Sequence, residues 1–406
     1  MIDEKPEALG MDGERLARIP RFFQSYVDDG RLAGVLTMVS RRGQVVHCES
    51  IGSADVEAGA PMAADTIFRI YSMTKAVTSV ALMMLHEEGR LQLDDPVSRF
   101  IPAFADLRVW VDGTPLQYTT RFPEREVTIR DLLTHTAGLT YGFMGRHPLD
   151  ALYRRRGIGG LDKVGTLSAM VEGLAELPLL FSPGTRWSYS VATDVCGHLV
   201  ELISGQRLDR FFAERIFEPL RMVDTGFHVP EESLGRFAAC YQKGKDGAAQ
   251  LVDAPATSSY REAPSFLSGG GGLVSTAGDY HRFATMLLRN GELDGARILG
   301  RKTVELMTRN HLPGGGDLTT MGQEVFSETS YAGIGFGLGF SVMLDPAAAQ
   351  VTGTAGEYAW GGAASTMFWV DPKEELIGIM LTQLLPAGCW PIRREMRSLT
   401  YQSLVD

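Results

Sequence analysis

A serine three residues ahead of a lysine, in Ser72-Met73-Thr74-Lys75, has the makings of an acyl-transfer centre. At helical spacing these two positions share a face, so hydroxyl and amine would stand side by side. The apolar residues Val77, Val80, Ala81, Met84 and Leu85 then recur with helical period, and Gly89 is placed to stop the helix. Ser72 is therefore expected at a helix N-terminus, where unpaired N–H groups and the dipole favour a developing negative charge. An acylating serine needs a base for its proton and a positive end for the oxyanion. A helix cap followed by a surface lysine would leave the same four letters, so the pattern calls for partners elsewhere in the chain.

Two further segments offer them. Trp187-Ser188-Tyr189-Ser190-Val191 precedes an apolar helical stretch. A tyrosine at a helix entrance, beside an ammonium, ionises at less cost and could take the serine proton. The alternative is a turn whose aromatic ring serves only packing. Trp360-Gly361-Gly362-Ala363 precedes a β-rich run. Paired glycines let a backbone come close to a ligand and aim the next N–H at an oxyanion. A tight strand entry or bulge is the alternative.

The elements that must hold these groups together are readable in outline. With 406 residues the chain can bury a large core, and 44% hydrophobic with 22% charged residues is ordinary for a globular protein. The net charge of −10 argues against nucleic acid or an anionic membrane surface as partner. No segment has the length of a membrane span and the N-terminus lacks signal-peptide form, so a cytoplasmic location is expected. Cys48, Cys196, Cys240 and Cys389 show no zinc or redox spacing, and the histidines no metal-ligand spacing. Neither a metal site nor an organic cofactor is expected.

Ala33–Ser40 and Val45–Ile51 read as a hairpin around Arg41-Arg42-Gly43-Gln44, and Ser365–Val370 with Leu376–Leu381 as a second one. Pro391–Leu404 reads as a closing amphipathic helix with Ile392, Met396 and Leu399 on one side. Val127–Leu133, Val191–Ile203 and Leu208–Phe217 are the clearest helices of the middle. The expected class is α+β: an antiparallel sheet from both termini, flanked by helices, with a mainly helical lobe inserted. Residues 1–90 and 265–406 would form the first domain and 91–264 the second, with the site in the cleft between them.

Taken in order, the three motifs resemble the serine β-lactamase-like hydrolases, which carry S-x-x-K, then Y-x-N or Y-x-x, then K-T-G or W-G-G. Within them the chain is most similar to the family-eight carboxylesterases, which are related to class C β-lactamases. Leu132-Leu133-Thr134-His135-Thr136-Ala137-Gly138-Leu139, Gly270-Gly271-Gly272-Leu273-Val274-Ser275-Thr276 and Phe368-Trp369-Val370-Asp371-Pro372 extend the likeness from about Ala33 to Gln383. The resemblance implies the β-lactamase and penicillin-binding-protein fold, Ser72 as nucleophile, Lys75 as its partner and Tyr189 as general base. It also implies an oxyanion hole from the N–H groups of Ser72 and Ala363. Tyr141 would be the cleft tyrosine that reaches toward the serine, or else a loop aromatic shielding the core. Trp360, Gly361 and Gly362 would line the substrate site, and His135 would be structural.

Two departures bear on substrate. Val191 replaces the asparagine of Y-x-N, and Trp360 replaces the lysine of K-T-G, removing a cation suited to a carboxylate. Both point toward small-molecule, neutral, short-chain esters hydrolysed through an acyl-enzyme. An acyltransferase on the same scaffold is the alternative. A β-lactamase, a D-amino-acid peptidase and a non-catalytic binding relative rank behind it. No G-x-S-x-G occurs, which argues against the α/β-hydrolase elbow.

Overall fold

The two ends of the chain meet in the middle of one sheet. In the computed structural model, which describes residues 2–160, 164–321, 328 and 331–406, the strands run in the order Ile334–Phe336, Ser341–Met343, Tyr358–Gly361, Met367–Asp371, Leu376–Thr382, Gly34–Arg41, Gln44–Asp55 and Ala60–Pro61. All neighbours are antiparallel, with Val35 opposite Thr382 and Arg41 opposite Leu376 at the seam between the termini. Both expected hairpins are present, with strand ends displaced by up to four residues from those of the apolar runs.

The central strands are buried along their whole length because helices cover both faces. Period-two alternation sorts their side chains. Leu36, Met38, Phe368, Val370, Ile377 and Ile379 enter the larger core. Val35, Val39, Met367, Trp369, Leu376 and Met380 enter a smaller one with Phe23, Ile392 and Met396. The helices Arg18–Asp28 and Ile392–Tyr401 supply that second face, while Ala277–Leu288 packs on the first.

The helix Thr74–Glu87 is buried from Thr74 to Leu85 and packs against Ala192–Ser204, itself almost wholly buried. Helices apolar on all sides belong in a core, and these two form its centre. Ile129–Leu133, Leu167–Ala175 and Leu208–Phe212 pack around Ala192–Ser204. The first starts at Ile129 rather than Val127 because Thr128 and Asp131 close a capping box there. The last continues as a π-helical turn, Ala213–Phe217.

The middle of the chain is less purely helical than expected. It holds a hairpin of Val109–Thr114 with Gln117–Arg121, and another of Cys240–Lys243 with Ala249–Asp253. The second turns at Asp246-Gly247, where Gly247 has φ +90°, and takes Leu384–Leu385 as a parallel third strand. Their side chains are mostly exposed. A strand without an apolar face leaves no periodic signal to read.

Candidate active site

Ser72 lies on a 3-10 turn, Tyr71–Met73, immediately before the helix that carries Lys75. It therefore stands at the helix N-terminus, two residues ahead of the first α-helical residue, Thr74. Tyr71 holds φ +43°, a left-handed conformation that non-glycine residues rarely adopt and that is stored mainly at functional sites. The turn is pinned from behind. Tyr280 donates its hydroxyl to Met73 O at 2.9 Å, and Thr74 Oγ1 accepts the Leu273 N–H at 3.1 Å.

Two of the candidate tyrosines, Tyr189 and Tyr141, meet on Ser72 and Lys75. Tyr189 OH donates to Ser72 Oγ at 2.6 Å. Lys75 Nζ donates to Ser72 Oγ at 3.3 Å, to Tyr141 OH at 3.0 Å and to Gly270 O at 2.5 Å. Its ammonium also sits 4.7 Å from the centre of the Tyr189 ring. Lys75 is 1% exposed, and burial draws its pKa down from 10.5 to about 7, with the Asp194 charge pulling the other way. The Tyr141 hydroxyl is pushed well above its ordinary value by burial, reinforced by Tyr189 and Asp194, and so stays protonated.

Asp194 and the glycine run explain how Lys75 is held. Asp194 is buried and accepts Ser268 Oγ at 2.6 Å and the Gly270 N–H at 3.0 Å. Gly270 thus gives its N–H to the acid and its carbonyl to the lysine. A Cβ at this position would stand 2.7 Å from Asp194 Oδ2, so only glycine fits. Neither Asp194 nor the Gly270 carbonyl stood out among the candidate residues. An aspartate inside the otherwise apolar stretch Val191–Ile203 was the available signal.

The opposite wall is the strand Tyr358–Gly361 and the turn after it. A Cβ on Gly362 would fall 2.3 Å from Thr366 Oγ1 and 2.4 Å from Ile70 O. The glycine lets this turn close onto the backbone just before Ser72. Among the described residues, the N–H groups of Ser72 and Ala363 donate to no protein acceptor. Both residues line a cavity of about 610 Å³, together with Tyr141, Tyr189, Trp360 and Phe368. The Trp360 ring lies 5.5 Å from that of Tyr189. Val191 is 1% exposed and packs in the core, so no side-chain amide faces the site from there.

His135 is not bonded to Ser72. Its Nδ1 lies 3.1 Å from Ser190 Oγ, its carbonyl accepts the Ser188 N–H at 2.9 Å, and its ring edge packs 5.0 Å from Tyr189. Burial, with Lys75 adding to it, pushes its pKa well down, so the ring is neutral and props the tyrosine loop. Among the described residues no cluster of three or more His, Cys, Asp or Glu could hold a metal, and no helix is long and apolar enough to cross a membrane.

The serine, lysine and tyrosine of the three motifs thus share one hydrogen-bonded centre, and the Beta-lactamase family profile matches residues 19–396 around it. The chain belongs to the β-lactamase family. This β-lactamase-family chain is 38% identical to Protein Rv1367c of Mycobacterium tuberculosis (strain ATCC 25618 / H37Rv) over 382 residues, 93% of this chain and 91% of that one. It is 33% identical to Esterase EstB of Burkholderia gladioli over 415 residues, 98% of each chain. Among solved structures it superposes on EstCE1, described as a hydrolase with promiscuous acyltransferase activity, with a TM-score of 0.80 at 28% identity, covering 98% of this chain and 99% of that one. The α+β architecture is the β-lactamase and penicillin-binding-protein fold.

Proposed function

We propose that the protein is a serine carboxylesterase that works through an acyl-enzyme on Ser72. The hydrogen-bonded chain Tyr189–Ser72–Lys75 at the floor of an aromatic-lined cavity carries this reading. Ser72 Oγ attacks the ester carbonyl carbon while its proton passes into the Tyr189–Lys75 pair. The carbonyl oxygen becomes an oxyanion between the Ser72 and Ala363 N–H groups. Collapse expels the alcohol, which takes the proton back, and leaves acyl-Ser72. Water then attacks that ester by the same route and releases the acid. No step calls for a metal or an organic cofactor. Tyr141, Trp360 and the glycine pair Gly361-Gly362 shape the space for the ester.

The similarity to Esterase EstB supports this chemistry. The acyltransferase activity named for EstCE1 favours a second reading, in which an alcohol replaces water in deacylation. The test is the intact mass of the protein after reaction with an ester-mimicking phosphonate, run beside turnover of p-nitrophenyl butyrate with and without an added alcohol. The wild type should gain one phosphonyl group and Ser72→Ala none. An adduct on another residue overturns the assignment, and transfer to the alcohol outpacing release of free acid selects the second reading.

The lysine also makes a pH prediction. Below its pKa of about 7 Lys75 is protonated and has no lone pair for the Ser72 proton; above it the amine is free. Therefore kcat/KM should rise with pH along a limb centred near pH 7. Asp194 holds that pKa up, so Asp194→Asn should move the limb to lower pH. A rate independent of pH from about 5 to 9 would remove Lys75 from proton transfer.

A further inference from the structure

A second cavity, of about 540 Å³, adjoins the loop that carries Tyr189. Among the described residues, Trp187 and Tyr189 alone border both this cavity and the one of about 610 Å³ lined by Ser72. Tyr189 belongs to the reacting centre, so Trp187 is the part of this partition that the chemistry does not fix. Trp187 is 2% exposed, and its ring lies 6.2 Å from that of Tyr189 at 20° and 5.7 Å from that of Phe336. Its backbone N–H donates to Met321 O at 2.6 Å. The indole Nε1 is buried without a hydrogen-bond partner. Packing alone holds the ring, and a smaller apolar side chain here would strand no polar partner.

The space beyond the ring suits an alkyl chain. Met144, Leu180, Phe181 and Met321 give the second cavity apolar walls. Its buried acid, Asp150, is already satisfied, accepting Thr140 Oγ1 at 2.9 Å and the N–H groups of Arg146 and His147 at 2.9 and 3.0 Å. Its two arginines, Arg146 and Arg186, are exposed. Which half of an ester meets the partition follows from the proton path. Tyr189 OH lies 2.6 Å from Ser72 Oγ, so the departing alcohol oxygen, which takes the proton back, comes up to that same hydroxyl. The alcohol is thus the half beside Tyr189, on whose ring Trp187 stacks.

We propose that Trp187 is the wall that stops the alcohol chain of the ester, so that methylenes beyond a short alcohol gain nothing although room lies behind the ring. The proposal rests on the esterase reading and adds which alcohols are released. The bonds made and broken at Ser72 are unchanged. In the acyltransferase reading the acceptor alcohol meets the same wall, because deacylation retraces acylation.

The test compares butyl butyrate with octyl butyrate, followed by acid release at constant pH. Both form the same butyryl-enzyme, so the ratio of kcat/KM, octyl over butyl, reports recognition of the alcohol. In the wild type the ratio should stay near one. A methylene moved from water into an apolar pocket is worth about three- to fourfold, so seating two of the four added ones should raise the ratio about tenfold in Trp187→Ala and Trp187→Leu. Trp187→Phe, which keeps a ring in the wall, should stay near the wild type. A merely structural role would lower both rates alike through a loosened Tyr189 and leave the ratio unmoved. Should Trp187→Ala fail to fold, Trp187→Leu decides. An unchanged ratio in the folded variant overturns the proposal, and so does a wild-type ratio already above about ten, since the wall would then stop nothing. Turnover of both esters by folded Ser72→Ala would instead overturn the esterase reading, whatever the ratio.

Discussion

Ser72→Ala should lose about 10⁴-fold or more in kcat on p-nitrophenyl butyrate while keeping its fold. The size follows from the chemistry. Without Oγ there is no covalent route, and neither Lys75 nor Tyr189 can hold an acyl group in its place at a comparable rate. The fold should survive because the serine is not a packing residue. It sits on a turn pinned through Met73 and Thr74, and the helix behind it is buried by its own apolar side chains. The bonds lost are those to Tyr189 OH and Lys75 Nζ, and Ser72 and Tyr189 line a cavity from which water can replace the hydroxyl. Kinetics beside circular dichroism and a melting curve make the check. A folded variant that keeps a substantial fraction of the wild-type rate would sink the mechanism.

Tyr189→Phe and Lys75→Ala should each lower kcat by about 10²–10⁴-fold, and the double variant should be little worse than either one. The reason is geometric. Both groups bond the same oxygen, at 2.6 and 3.3 Å, and the ammonium lies 4.7 Å from the tyrosine ring, so the serine proton meets a linked pair of groups at one point. Removing one leaves the other without its partner. A double-mutant cycle on kcat measures the coupling, which should approach the full effect of a single change. KM should move less than kcat, because neither group is needed to bury the acyl chain. Strict additivity would mean two independent roles, and near-normal kcat in Tyr189→Phe would place the base elsewhere.

Much of the centre was legible in the chain itself because its logic is local. Ser72 and Lys75 are neighbours by spacing alone, and the apolar period after them places both at the start of a buried helix. The two hairpins and the terminal helix were legible for the same reason: their apolar faces repeat at the period of the element. Tyr189 and the pair Gly361-Gly362 could be named as candidates, but which atoms they meet was not written in their neighbourhoods.

What tertiary structure alone decided is electrostatic and long-range. Lys75 carries a pKa of about 7 only because helices and a glycine loop from distant parts of the chain seal it from water, with Asp194 set behind it. His135, structural by the resemblance, finds Ser190 as partner only through packing, and burial keeps it neutral. Trp187 reads in sequence only as a neighbour of Tyr189, until the fold places it on the border of two cavities. A sequence determines which side chains exist and, through periodicity, which faces they share. Charge in a cavity depends on everything that excludes water from it, and no single segment contains that information.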